Sequence, residues 1–382
     1  MLKIHYPIDR KTFEQKYRNI FPDELRQKFD TFCQQNLPDS PDLDTILTAS
    51  FEELSTLSFN LNPQTPCNGN CTSQRKDPTC SFHQLKSILN YDAPTDKKYG
   101  PDIAEFFMAH HQQLQLSTCY FCNISYIYAF ENRGDYADLI DFVNTAPPDE
   151  LEQIKGIGRA SRVKIEMARP MQQPSDIPFG PTKLASFEFG FADYAKKKKQ
   201  FTLDHLLDKA SHPLAALSLY NFVPSCYSCN SQFKGSKPIV VKLGDHHLSP
   251  TAEEFDMHTH FRFSLRFDKL PEITSTTDFH IRPEFDLKEA ERSNYLSVLR
   301  LLPRYRKHKS LVLKLIEKQK KYGPAQIKSI AQTINRSEAE VRQDIFGPDL
   351  YSGKAEQEPF TKFMRDIARD LKMPHVIPSD EE

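Results

Sequence analysis

Two C-x-x-C pairs constrain this chain more than any other feature: Cys119/Cys122 and Cys226/Cys229, roughly a hundred residues apart, each beside a run expected to form a strand. Four thiolates complete a tetrahedral shell for one zinc ion, and a C-x-x-C turn supplies half of such a shell. If one ion takes all four, the chain between them must leave one point and return to it. Two separate knuckles or two redox pairs are the competing readings. In a reducing compartment such spacing reads as zinc before disulfide. Cys33 stands alone and reads as a small buried apolar residue.

A second cysteine group precedes the first pair. In PCNGNCTSQRKDPTCSFHQL, Cys67, Cys71, Cys80 and His83 are spaced C-x3-C-x8-C-x2-H, which could close a second tetrahedral zinc shell. The alternative is a polar loop with incidental cysteines. Upstream, Phe13, Tyr17 and Phe21, then Leu25, Phe29 and Phe32, give helical apolar spacing broken by Pro22, Pro38 and Pro41. Residues 101–116 read as a further helix.

Composition bears on partners. A 382-residue chain with 38% hydrophobic residues, 28 Phe and 15 Tyr can bury real cores. Its net charge of −1 means that any phosphate-binding surface must come from local clusters of Lys and Arg. One cluster lies between 191 and 242, where eight lysines face three aspartates. The run Lys196 to Lys199 within it is either a solvated face or a track for a phosphate backbone. The first residues lack an apolar signal core, and no apolar run approaches the roughly 18 residues of a membrane span, so a soluble, cytoplasmic protein without a membrane partner is expected.

Chemistry concentrates in FTLDHLLDKASHPLAALSLYNFVPSCYSCNSQFK, residues 201–234. Asp204 and His205 are neighbours at the end of an expected strand. Neighbours on a strand point to opposite faces, so both serve one site only where the strand ends or bends. The carboxylate can hold a hard divalent cation while the imidazole takes a proton from water. A second strand is expected over 218–222, with Asn221 near its end, which cannot take up protons and whose job is to bond the loop and hold the histidine. A helix starting near Cys226 then places Asn230 one turn in, where its amide oxygen could complete a metal site with Asp204.

The segment PPDELEQIKGIGRASRVKIEMARP, between the cysteine pairs, resembles a helix-hairpin-helix motif, in which a glycine-bounded turn offers backbone N–H groups to a phosphate. Lys155, Gly156, Gly158 and Arg159 are the expected contacts, with Arg162 and Lys164 adding charge. Arg162 stands where that motif usually has a small alanine. A purely structural helical hairpin is the alternative.

The central stretch resembles the HNH endonucleases, in the branch whose ββα-metal core is supported by zinc: DHLLDK, HPLAALSLYN, VPSCYSCN and FKG follow in order, and CYFCN upstream fits the same branch. The resemblance implies that His205 is the general base and that Asp204 and Asn230 bind catalytic Mg²⁺. It makes Asn221 the middle asparagine of the motif and Cys119, Cys122, Cys226 and Cys229 the ligands of a structural zinc. Asn230 fills the place of the final histidine, a variant that favours oxygen-bound Mg²⁺. Lys209 and Lys234 would neutralise nearby phosphates. The implied reaction is phosphodiester hydrolysis, with DNA preferred because of the hairpin resemblance; RNA cleavage and a non-catalytic, zinc-stabilised nucleic-acid-binding adaptor are the alternatives. Enzymes of this branch resemble antiphage defence effectors, some of which work with an ATPase partner. A second pair, Asp245-His246, lacks the following Asn and C-x-x-C.

Downstream, FRFSLRF alternates apolar and basic residues and is expected to form a strand over 260–267, flanked by loop histidines His246, His247, His258 and His260. From Asp286 the chain reads as helical: LKEAERSNYLSVLRLL, SLVLKLIEKQKKYG, PAQIKSIAQTI and SEAEVRQDIFG, with a capping box at Ser337/Glu340 and a stop at Gly347. The third and fourth segments could pass for a helix-turn-helix or an ordinary helical pair. The expected fold is thus a mostly helical α+β chain, in which a small ββα-metal core stabilised by a four-cysteine zinc site is flanked by helical terminal regions. Residues 1–100 form a helical region with the zinc loop, and 101–250 the nuclease domain with an insertion at 146–172. Residues 251–285 form a β-rich extension and 286–382 a helical domain.

Overall fold

The computed structural model describes residues 2–61, 80–92, 97–131, 136–257, 259–267, 273–351 and 358–374. The chain forms two compact units, one made of Met1–Tyr128 with Phe201–Glu382 and the other of Ala129–Gln200. Both are predominantly helical, and the described strands form three two-stranded antiparallel sheets. The chain is therefore a mostly helical α+β protein. No described helix is long and apolar enough to cross a membrane.

The smaller unit is closed by pairing of β1 (Ala129–Glu131) with β2 (Lys197–Lys199), so the lysine run forms an exposed strand. Within it, Phe142, Leu151, Ile154, Ile165, Phe187 and Phe191 form a continuous apolar core. The helix Pro181–Ala195 comes close enough to Ile154 that a Cβ on Gly190 would sit 2.9 Å from its methyl group, so any larger residue there would push Ile154 from its place. The expected hairpin at 146–172 lies inside this unit. It consists of a short helix Pro148–Leu151, a turn at Gly156 with φ +89°, and the helix Arg159–Met167, N-capped by Gly158.

In the larger unit, the helices Arg10–Arg18 and Asp23–Asn36 bury Phe13, Tyr17, Leu25, Phe29, Phe32 and Cys33, the face that the apolar spacing requires. Each fully buried side chain of this size contributes about 1.5–3 kcal/mol. The first of these and the following helix Leu43–Thr48 hold the central loop in place: Tyr17 donates to Leu217 O at 2.7 Å, and Ser218 donates to Ile46 O at 2.8 Å.

The central hairpin pairs β3 (Thr202–His205) with β4 (Phe222–Ser225), with Asp204 opposite Val223 and His205 opposite Phe222. The second strand begins where the sequence led us to end it. Residues Leu219–Asn221 form a 3-10 turn instead, because the Asn221 side chain is committed to loop backbone. After β4 the chain enters a π-helical turn, Ser228–Lys234, in place of an ordinary α-helix.

Strand β5 (Phe261–Phe267) pairs with β6 (Phe279–Phe285), and Phe261, Phe263 and Leu265 face inward. The N–H groups of Phe263 and Leu265 donate to Asp366 and Asp370 on the helix Thr361–Asp370, which satisfies that edge of the sheet. The run expected as one helix from Leu287 to Leu302 is two, Glu289–Val298 and Leu301–Arg306. Arg300 between them is left-handed at φ +51°, and the bend redirects the following residues. The capping box at Ser337/Glu340 forms, and Gly347 ends that helix at φ +103°.

Candidate active site and metal centre

The first cysteine pair sits in a turn closed by backbone: Asn123 N donates to Cys119 O at 2.7 Å, and Cys119 N donates to Ser125 O at 2.9 Å. The second pair follows β4 directly. Together the hairpin and the turn bring Cys119, Cys122, Cys226 and Cys229 into one buried cluster whose sulfurs all lie within 4.8 Å of one another. The Cys122 and Cys226 sulfurs are 4.0 Å apart. A tetrahedral ion with Zn–S bonds of about 2.3 Å sets sulfurs about 3.8 Å apart, so the donor set fits a structural metal such as zinc. No disulfide joins them. Backbone N–H groups already point at sulfur, Cys226 N on Cys119 at 3.3 Å and Ile124 N on Cys122 at 3.4 Å, as a metal-bound thiolate requires.

The neighbours of this cluster carry no signature in the sequence. Arg304 donates to Cys229 Sγ at 3.2 Å and Cys122 Sγ at 3.5 Å, and its guanidinium stacks on Phe233. Tyr305 donates to Cys122 O. Four thiolates around a divalent ion leave a net charge of −2, which the guanidinium offsets in a buried setting. The bend at Arg300 is what delivers both residues. Asn123 adds a further tie, donating to Glu358 O at 3.0 Å and accepting from Lys362 N at 3.3 Å.

Asp204 and His205 are the last two residues of β3, paired with Val223 and Phe222. His205 Nε2 lies 3.0 Å from Ala216 O. A carbonyl oxygen only accepts, so Nε2 carries the proton and Nδ1 keeps its lone pair. The ring is wedged edge-on against Tyr91 and Phe222, at centroid distances of 4.6 and 4.8 Å. Burial, aided by the charge of Lys209, pushes its pKa down to about 3, so the imidazole is neutral throughout the physiological range. Asn221 staples the loop that presents Ala216: its Oδ1 accepts from Leu207 N at 2.8 Å, and its Nδ2 donates to Leu207 O and Ala215 O at 3.0 and 2.9 Å. It acts on the histidine through that loop.

Lys234 occupies a position that the sequence did not suggest. It is buried, and its Nζ stands 3.2 Å from Asp204 Oδ1, 3.1 Å from Oδ2 and 3.0 Å from His205 O. Expected to meet phosphate, it instead spends its charge on the carboxylate, because an unpaired Asp204 at that depth would be costly. Burial pushes the Asp204 pKa up to about 6 against the pull of Lys234. Asn230 lies on the π-helical turn with Nδ2 3.5 Å from Leu203 O. A carboxylate and an amide oxygen are donors of the hard type that Mg²⁺ takes, so the chemistry of the pair fits. A metal at Asp204 has to share or displace the ammonium. Lys209 is also engaged, with Asp92 at 2.7 Å and over the Tyr91 ring.

The remaining expected sites are not gathered here. Cys67 and Cys71 lie outside the described residues; Cys80 is the buried N-cap of the helix Ser81–Ile88, which carries His83. His258 also lies outside them. Asp245 caps its own loop through Val241 N and Lys242 N, while His246, His247 and His260 face Glu254, Glu291 and Asp286. In the smaller unit Lys155, Gly156, Gly158 and Arg159 are exposed, whereas Arg162 is held between Glu152 and Glu166. Arg162 therefore braces the hairpin and adds no free charge.

The chain matches no protein-family model, no curated protein and no solved structure.

Proposed function

We propose that this protein is a metal-dependent endonuclease of the HNH type, acting on DNA, with His205 as general base. The observation that carries the reading is the His205–Ala216 bond at 3.0 Å, which leaves a neutral Nδ1 lone pair on the last residue of a hairpin strand whose partner strand runs into the cysteine cluster. Water attacks phosphorus as Nδ1 takes its proton, the P–O3′ bond breaks with its electron pair leaving on O3′, and solvent water protonates that oxygen to give a 3′-hydroxyl beside a 5′-phosphate. An imidazole of pKa about 3 is a weak base, so the water itself must be made more acidic. Asp204 and Asn230 would hold Mg²⁺, whose contribution is to acidify water and stabilise charge on the phosphate oxygens. Cleavage of supercoiled plasmid in Mg²⁺ by the wild type, and none by His205→Ala, tests the reading.

The Asp204–Lys234 pair supports a second reading, in which the ββα core is a scaffold in a zinc-stabilised nucleic-acid-binding adaptor. The two readings diverge on metal. In the nuclease, Lys234 and the divalent cation compete for Asp204, so Lys234→Met raises Mn²⁺ affinity about tenfold or more, measured by titration calorimetry against an Asp204→Asn control. Its thermal stability falls in EDTA and recovers with Mn²⁺. Equal or weaker Mn²⁺ binding by Lys234→Met contradicts a metal at Asp204 and favours the scaffold.

DNA is favoured over RNA by the Gly156–Arg159 turn. The helix Arg159–Met167 begins at a glycine without a side-chain cap, so its first N–H groups and the exposed Lys155 and Arg159 can meet a phosphate. Reversing charge at Lys155 and Arg159 together removes two phosphate contacts. The slope of log affinity against log salt for duplex DNA should become shallower by about 2. An unchanged slope in a filter-binding series makes the hairpin structural. A role in antiphage defence with an ATPase partner follows from the family resemblance alone.

A further inference from the structure

One imidazole and two carboxylates from three separate segments converge at a single point of the larger unit. His246 Nε2 lies 2.8 Å from Glu254 Oε2 and 3.9 Å from Glu52 Oε1, and one ligand atom from each residue lies within 4.8 Å of the others. Zinc bonds to nitrogen and oxygen of about 2.0–2.2 Å set tetrahedral ligand atoms about 3.4 Å apart, a spacing that these two distances bracket. In the sequence His246 is one loop histidine among several. Only the fold supplies its carboxylates.

The backbone fixes where each group starts from. Glu52 stands in the first turn of the helix Phe51–Leu61, beside the buried Phe51 and Leu54. His246 lies on the 3-10 turn Asp245–Leu248, between Asp245, which caps its own loop, and the buried His247. Glu254 precedes the buried Phe255, in a loop pinned where the Thr251 hydroxyl donates to Tyr220 O.

Charge decides what the three can hold. A protonated imidazole offsets at most one carboxylate, and a neutral one offsets neither. Among the described residues His246 is the one ion-pair or hydrogen-bond partner of the Glu52 and Glu254 carboxylates. Both glutamates also line a cavity of about 270 Å³, whose other carboxylates have partners of their own. There Glu253 meets Arg10 at 2.6 Å, Glu14 accepts from the Tyr220 hydroxyl at 2.6 Å, and Glu53 accepts from Ser50 N at 3.0 Å. A dication cancels the charge of Glu52 and Glu254 together and takes the Nε2 lone pair in place of a proton. Imidazole nitrogen among the donors favours a transition ion over Mg²⁺ or Ca²⁺.

We infer that Glu52, His246 and Glu254 form a binding site for a divalent transition ion, with Zn²⁺ as the probe. Three protein ligands leave a coordination position for water or a small ligand from the cavity. The site shares no residue with the Asp204–His205 centre or the cysteine cluster and does not rest on the nuclease reading. The test is calorimetric titration with Zn²⁺ of the full-length protein, first dialysed against a mild chelator so that only tightly held zinc remains. The wild type is expected to take up one further ion with micromolar affinity. His246→Ala should lose that step, and Glu52→Gln and Glu254→Gln should each weaken it about tenfold or more. Glu253→Gln and Asp204→Asn should leave it unchanged. Melting temperatures equal to that of the wild type in chelator establish that the variants are folded, and added Zn²⁺ should raise the melting temperature of the wild type but not of His246→Ala. Four results would overturn the assignment: no further zinc taken up by the wild type at submillimolar concentration, the same uptake by folded His246→Ala, equal weakening by Glu253→Gln, or loss of the step in Asp204→Asn.

Discussion

Cys119→Ser and Cys226→Ser are each expected to lose the cluster's zinc entirely, although they lie on opposite halves of the chain. The sulfurs of the two pairs interleave within 4.8 Å, so neither pair has a shell of its own. Three thiolates and a serine hydroxyl bind zinc far more weakly than four thiolates. The loss is structural as well. Apparent free energies for a structural zinc run to about 10–16 kcal/mol, which equals or exceeds the whole stability of an ordinary domain. Without the ion, four buried thiols remain around the Arg304 guanidinium, whose charge then has no counterpart. A fall of about 10 °C or more in melting temperature is expected, with exposure of the central hairpin to protease. Metal analysis by mass spectrometry together with thermal denaturation checks both parts. A full equivalent of zinc in either variant would mean that the pairs bind separately.

His205→Ala is expected to reduce DNA cleavage by about 10²- to 10⁴-fold while zinc and fold survive. The imidazole is buried between Tyr91 and Phe222 and anchored to Ala216 O, so its removal opens a cavity, but Asn221 still holds the loop by three hydrogen bonds to Leu207 and Ala215. The stability cost is that of one aromatic truncation, up to about 3–5 kcal/mol. Activity and stability therefore separate: the variant melts earlier but keeps its metal cluster and loses turnover. Residual cleavage near the wild-type rate in a single-turnover assay would remove His205 from the chemistry.

What the sequence revealed and what it hid divide along a physical line. Local patterns carried through where the residues that make the pattern also make the structure: the Phe13/Tyr17 and Leu25/Phe29/Phe32 faces, the alternation of Phe261 to Phe267, the capping box at Ser337. The four cysteines came together because their side chains are useful only in company. Asn221 shows where local reading fails. Its neighbours Leu219, Tyr220 and Phe222 have strand propensity, yet the amide bonds backbone in the loop before it, so the strand starts at Phe222, the residue where it was expected to end. Lys234 reads as one more basic residue in a basic region; only the fold reveals that it lies under Asp204. Arg304 and Tyr305 are invisible for the same reason, since an unremarkable helical run, LLPRYRK, was redirected by a left-handed Arg300 onto sulfur atoms far away in the chain. Charge pairing across the fold decides the details of this centre, and the sequence does not show which charges meet: Asp204 and Lys234 are 30 residues apart, and Arg304 is 75 residues from Cys229.

The central claim is that His205 hydrolyses DNA. Supercoiled plasmid and a single-stranded RNA, offered side by side to the wild type and to His205→Ala in Mg²⁺ and in EDTA, test it most directly. The account predicts nicked or linear plasmid with wild type in Mg²⁺ alone, slower loss of RNA, and neither product with His205→Ala. Equal cutting by the two proteins, or none by a wild type that carries its full complement of zinc, would contradict it.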